Sequence, residues 1–298
     1  MFIEKFTRLV HKHLNTPSFR LFTLLTNDPL QKAVIREIRH GIWKSDVVNW
    51  EKFGCEGRLW GTKGQLLSWL YDPVNMCWCE LNQVNDHLSA LVISEEQDNW
   101  ECDLREVQGF AASKDMYDPF SNLKAFVELM APGLLTPVTP EKLKENLAHA
   151  ERRILQDNEP HSFSRWTWDG RVFIENIDGS HHLAAAIVQA EQLNVPVRLN
   201  GRLRTYRLNP AALACLRRDF DMYVVSSEPK QANALHTAIK DYKAPYSEVP
   251  LPFPYTKQRA LMLPKENNRS VKISNILSGA GFQDLAVYLD NLARPSDC

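Results

Sequence analysis

Between Val172 and Val197 the chain reads VFIENIDGSHHLAAAIVQAEQLNVPV, and its polar residues cluster at one junction. A β-branched and aromatic run ends at Asp178-Gly179. Ser180, His181 and His182 then open an alanine-rich helix. A carboxylate at a strand end can orient a metal, a ribose hydroxyl or the N–H groups of the next turn. Gly179 permits a close backbone approach to a ligand. Ser180 is placed to cap the helix, and the helix start offers uncapped N–H groups and the positive end of the macrodipole to an anion. His181 is a candidate acid–base group, since free imidazole changes charge near neutral pH. Counting by two along the strand puts Glu175 with Ile177 on one face and Asn176 with Asp178 on the other, so Glu175 is the weaker catalytic candidate. Arg198, Arg202, Arg204 and Arg207 follow within ten residues of the motif. On a strand, Arg202, Arg204 and Tyr206 share a face. That face is either a clamp for phosphates or a nucleic-acid backbone, or an edge guarded by charge.

Positioning this junction requires a strand up to Asp178, a helix over Ser180–Leu193 and a short strand over Val195–Leu199. Gly201 is read as a turn into a strand Leu203–Leu208. Asn209-Pro210 then opens a helix to about Phe220, and Met222–Ser226 is a further strand. Upstream, Thr139-Pro140-Glu141 begins a helix extending to about Gln156. Asp169-Gly170 predicts a two-residue hairpin between Arg165–Trp168 and Arg171–Ile177. The apolar spacing over residues 2–14 and 29–43 predicts helices. Short strands are expected near Arg58–Trp60 and Met76–Leu81. The tail over Ala244–Pro264 is broken by prolines, and Ile273–Leu292 is helical with an interruption at Gly279 and Gly281. The segment Met130–Pro140 holds three prolines and a glycine, which makes it the expected boundary. The predicted class is therefore α+β. A smaller tryptophan-rich domain would span residues 1–133, and an α/β domain with a C-terminal helical extension would span 134–298.

Composition narrows the function classes. The formal net charge is −1, which argues against a wholesale nucleic-acid or membrane-surface protein. Residues 1–135 carry 14 Lys+Arg against 18 Asp+Glu, whereas 136–298 carry 21 against 18, so the positive balance falls in the half with the junction. Six cysteines lack disulfide-scaffold spacing. Cys77-Trp78-Cys79 is too tight for a zinc knuckle, so no zinc is expected. The tryptophans between 43 and 100 are read as core, and His11 and His13 as surface. The start of the chain does not read as a secretory leader, and no apolar run approaches membrane-spanning length. Cytoplasmic residence is the expectation. No P-loop, G-x-S-x-G elbow or H-E-x-x-H pair occurs.

The order strand, D-G-x-H-[H/R]-x-x-A-A, helix, V-P-V resembles the central motif of the ParB/sulfiredoxin-like superfamily. Asp178, Gly179, Ser180, His181, His182, Ala185 and Val195-Pro196-Val197 occupy its positions, and the likeness extends over Thr136–Ser226. Activities on that fold include CTP or ATP binding and hydrolysis, DNA or RNA cleavage, free-serine phosphorylation and reduction of oxidised peroxiredoxin. Their common element is a phosphate seated on this loop. Two departures matter. Ser180 stands where sulfiredoxin has its cysteine, which argues against that chemistry. His182 replaces the motif's arginine and loses a bidentate phosphate fork; Arg198, Arg202 or Arg204 would then have to supply it. The chain also lacks the proline-and-arginine box and the helix-turn-helix of chromosome-partitioning members. The resemblance implies a bacterial-type phosphate or nucleotide binder. Asp178, His181 and Glu175 are its catalytic candidates, and Gly179, Ser180 and His182 hold phosphate. Mg²⁺ with ATP or CTP is the implied cofactor set, for a hydrolase, kinase or nuclease. The alternative is a non-catalytic regulator, such as a plasmid- or phage-borne inhibitor, binding a protein partner through its N-terminal domain.

Overall fold

A computed structural model describes residues 16–27, 32–36, 41–55, 63–114, 119–149, 161–176 and 178–294. The expected helix over 2–14, His11 and His13, the strand near Arg58–Trp60, the end of the helix toward Gln156 and Ile177 lie outside or run beyond them. The protein is mixed α and β, and the described residues form two five-stranded sheets. In chain order the elements begin with α1 (Pro17–Asn27), β1 (Gln65–Asp72), β2 (Cys77–Val84), α2 (Asp86–Ser89), β3 (Val92–Asp103) and β4 (Val107–Phe110). Next come α3 (Leu123–Met130), α4 (Pro132–Leu135), α5 (Pro140–Ala148), β5 (His161–Trp166), β6 (Val172–Ile174), α6 (Ser180–Leu193) and β7 (Arg198–Leu208). The remainder is α7 (Pro210–Asp219), β8 (Phe220–Ser226), α8 (Pro229–Lys240), β9 (Tyr246–Pro250), β10 (Gln258–Pro264), α9 (Asn268–Gly279) and α10 (Leu285–Ala293).

The described residues fall into two compact units that alternate along the chain. One draws on Met1–Arg36, Asn49–Val92 and Leu208–Cys298, and the other on Glu37–Val48 and Ile93–Arg207. The expected division at 133/134 falls inside the second unit. Its prolines do not open a linker: Pro132 and Pro140 occupy the first turns of α4 and α5. There a missing N–H costs nothing. Thr139 caps α5 by accepting from the Lys142 N–H at 3.2 Å, as its sequence implies. The tryptophans are shared out as well: Trp50 is buried in the first unit and Trp43 in the second.

In the first unit the strands run β2-β1-β9-β10-β8. Ala244–Pro264, expected as a broken tail, supplies β9 and β10, with Pro250 and Pro264 at strand ends where a ladder donor is dispensable. Helix α8, which no sequence signal singled out, starts with Pro229 in its first turn. Residues 32–36 are not helical as expected. Lys32 bridges Val225, and the Ile35 backbone exchanges hydrogen bonds with the Gln283 side chain at 2.7 and 2.9 Å. A side-chain amide distant in sequence thereby replaces the helical ladder.

The second unit has strand order β3-β7-β5-β6-β4. β5 pairs parallel to β7 and antiparallel to β6, while β4 pairs parallel to β6. The hairpin is present but wider than two residues. Arg165 faces Val172, and Arg171 grips Asp169 through Nε at 2.7 Å and Nη2 at 2.8 Å. Helix α6 spans the predicted Ser180–Leu193 and is buried throughout Leu183–Ala190, with Leu183 and Ala184–Ala186 at 0% exposure. It packs on α3, α4 and α5, and its alanines allow close approach. Leu183 and Ile187 share a core with Phe110, Phe126, Phe163 and Ile174. Each such burial stabilises by roughly 1.5–3 kcal/mol. β7 is one continuous strand through Gly201, not two strands around a turn. A Cβ on Gly201 would lie 2.1 Å from the His161 carbonyl oxygen, so glycine here serves close strand approach.

Candidate functional site

The strand-to-helix junction is formed by local rules and held by one side chain. Gly179 is the residue before α6 and adopts a left-handed conformation, φ +66°. Having no side chain, it provides no cap for the first-turn N–H groups. Ser180, expected as the cap, is instead the first helical residue. It is buried and its hydroxyl donates to the Ser113 hydroxyl at 2.8 Å. Asp178 is exposed, and its carboxylate accepts from the Gly179 N–H at 2.6 Å. Asn176 ties this turn to the segment after β4. Its Oδ1 accepts from the Ala111 and Ala112 N–H groups, and its Nδ2 donates to the Ala112 carbonyl at 2.8 Å.

A pocket of about 190 Å³ opens at this point, lined by Lys114, Ala131, Leu134 and the five residues Asp178 to His182. The two imidazoles are held differently. His181 stacks on Phe126 with ring centroids 5.2 Å apart. His182 stacks on His149 at 3.7 Å and turns Nδ1 to Asn146 Oδ1 at 2.9 Å. Asn146 and Gln189 behind it are both fully buried and bonded to each other at 2.9 Å.

The other sequence candidates are placed elsewhere. Glu175 accepts from Lys44 Nζ and Ser164 Oγ and does not line the pocket. Arg198, Arg202 and Arg204 project from the exposed face of β7, alternating with buried Leu199 and Leu203. Arg202 donates to Asp98 at 2.8 Å, Arg204 pairs with Glu96, and Arg207 with Glu95, all three acids on β3. The expected convergence of Asp178, His181 and an arginine of this group is therefore not found. The cation that lines the pocket is Lys114, which no motif announced. Asn146 had no signal either, but Gln189 had one: it is the polar residue inside an otherwise apolar Leu183–Ala190 run.

Chemically, the junction offers first-turn N–H groups, a lysine, a hydroxyl, a carboxylate and two imidazoles around a small cavity. Asp178 is the one carboxylate among the lining residues. Among the described residues no three His, Cys, Asp or Glu side chains are grouped to hold a metal by themselves. The five cysteines among these residues are free thiols, and no described helix is long and apolar enough to cross a membrane.

The model of a family of unknown function, DUF6685, matches residues 97–297, so the chain belongs to that family. No curated protein and no solved structure matches it.

Proposed function

We propose that this member of the DUF6685 family binds a phosphate-bearing ligand, foremost a nucleotide, in the pocket at the start of α6. The supporting observation is that Lys114, Gly179 and the uncapped first turn of α6 face one cavity together with Asp178 and His181. Helix N-termini and lysine both favour phosphate. At about 190 Å³ the cavity is smaller than the roughly 300 Å³ at which pockets for drug-sized ligands begin. It suits the phosphate end of a nucleotide, with the sugar and base lying outside. On this reading the second unit is a ParB/sulfiredoxin-like domain in a cytoplasmic, bacterial-type protein. Asp178 is the group for Mg²⁺, since Mg²⁺ held with substrate phosphates commonly takes one or two protein carboxylates. Bound there, Mg²⁺ would neutralise phosphate charge. His181 would contact the phosphate or transfer a proton.

The second reading, a non-catalytic regulator on the same fold, is favoured by one observation. Arg202, Arg204 and Glu175, which phosphoryl transfer could have used, are engaged in ion pairs away from the pocket. Thermal-shift and calorimetric titration with ATP, CTP, GTP and inorganic phosphate, each with Mg²⁺, separates the possibilities. A bound nucleotide at a hundred times its Kd should stabilise the fold by about 2.7 kcal/mol. Asp178→Ala and His181→Ala should abolish that gain. No stabilisation by any of these ligands would overturn the proposal, and binding without turnover would favour the regulator.

A further inference from the structure

Cys77 and Cys79 sit two residues apart on β2, and the strand geometry restricts what such a pair can hold. β1 and β2 pair antiparallel over their full length, with Leu70 opposite Cys79 and Asp72 opposite Cys77. Alternation along the strand sends the intervening Trp78 to the other face. There it packs on Tyr71 and Tyr246, with ring centroids 5.5 and 6.1 Å away, and the Lys240 ammonium of α8 lies over its ring. The two cysteines are left together on the opposite face as exposed free thiols. Their sulfurs are neighbours. Desolvation, the hydrogen-bonded Cys79 thiol and the Asp72 charge hold the Cys77 thiol above its ordinary pKa.

A disulfide between these two residues would distort the strand. Residues two apart advance about 6.4–6.8 Å along a strand, whereas disulfide Cβ atoms lie roughly 3.5–4.5 Å apart. A metal ion seated between two sulfurs spans a wider gap than an S–S bond. Two observations then restrict the ion. The Asp72 carboxylate opposite Cys77 is committed to its own turn. It accepts from the Val74 and Asn75 N–H groups at 2.8 and 3.2 Å and from Asn75 Nδ2 at 2.6 Å. Among the described residues no third His, Cys, Asp or Glu completes a metal-binding group. Structural zinc takes four ligands, and magnesium and calcium take oxygen. Monovalent copper is soft, selects thiolate and is satisfied by two. We propose that Cys77 and Cys79 form a two-coordinate site for a soft monovalent metal ion, foremost Cu(I). On binding, each thiol gives its proton to water and each sulfur forms one bond to the metal. Two protons leave per ion and no electron is transferred. The site uses no residue of the pocket at α6.

Anaerobic titration of the reduced full chain with Cu(I) against a chromophoric Cu(I) chelator tests this. The protein should withdraw one ion, which is lost in both Cys77→Ser and Cys79→Ser and retained in Cys55→Ser. X-ray absorption at the copper edge should count two sulfurs, and native mass spectrometry should find one copper per monomer. Serine keeps the size of these exposed side chains, and unchanged circular dichroism verifies the fold of each variant. An ion kept by either single variant, lost with Cys55 or shared between two chains overturns the proposal. So does failure to withdraw any copper from the chelator. Excess Zn²⁺ should leave the bound copper in place; displacement by zinc would overturn the two-coordinate assignment.

Discussion

A glycine at φ +66° separates the Asp178 carboxylate from the first turn of α6. Any L side chain there would strain the backbone. The two imidazoles that follow line the same pocket and rest on different partners. His181 lies against Phe126, while His182 is tethered inward to Asn146. Adjacent imidazoles with the same chemistry thus acquire different surroundings from the helical rotation between them. The same principle of environment governs the thiols. Burial, reinforced by the Glu106 and Asp103 carboxylates, pushes the Cys102 thiol up to about 12. A neutral thiol is a poor nucleophile. In the folded protein at pH 8, Cys102 should therefore resist alkylation while exposed Cys55, Cys77 and Cys79 react, as read by peptide mass spectrometry. Labelling of Cys102 at the rate of the exposed thiols would contradict its buried, protonated state.

At the scale of elements, β7 shows how one strand serves two environments. Leu199 and Leu203 enter the core, while Arg202 and Arg204 reach the acids of β3. These pairs are exposed, and pairs of that kind contribute about 0–1 kcal/mol each. They define an edge chemistry more than a source of stability. Gly201 matters more. With a Cβ placed 2.1 Å from the His161 carbonyl oxygen, Gly201→Ala must push β5 and β7 apart. Overpacking of this kind costs about 1–3 kcal/mol, so a matching fall in urea unfolding free energy is expected. A midpoint equal to wild type would show that the strands yield without loss.

For the whole molecule, the interleaving of segments has a direct consequence. Cutting at the sequence boundary 133/134 leaves 134–298 without β1 and β2 of one sheet and without β3 and β4 of the other. The fragment would expose ladder groups on β9, β7 and β6. Residues 134–298 alone should lack a cooperative thermal transition by circular dichroism, whereas the full chain should show one. A cooperatively folding fragment would contradict the arrangement. Interleaving also undoes the charge argument by halves. The positive balance after residue 135 includes Arg202, Arg204 and Arg207, and Asp98, Glu96 and Glu95 from the first half neutralise them.

Local chemistry alone determined the junction. A β-branched run, Asp-Gly and an alanine-rich segment marked α6, and Thr139-Pro140 and Asn209-Pro210 marked two further helix starts. Those signals act within a few residues, through dihedral preference and capping, so they can be read without the fold. Tertiary structure decided everything that depends on partners distant in sequence. It put the β3 acids on the arginines, Lys114 at the pocket and Gly201 against His161. It also set two amides behind His182, joined by hydrogen bonds that span 36 and 43 residues of sequence. Hydrogen bonds and ion pairs over such separations form only when packing brings the groups together, and no periodicity in the chain records them.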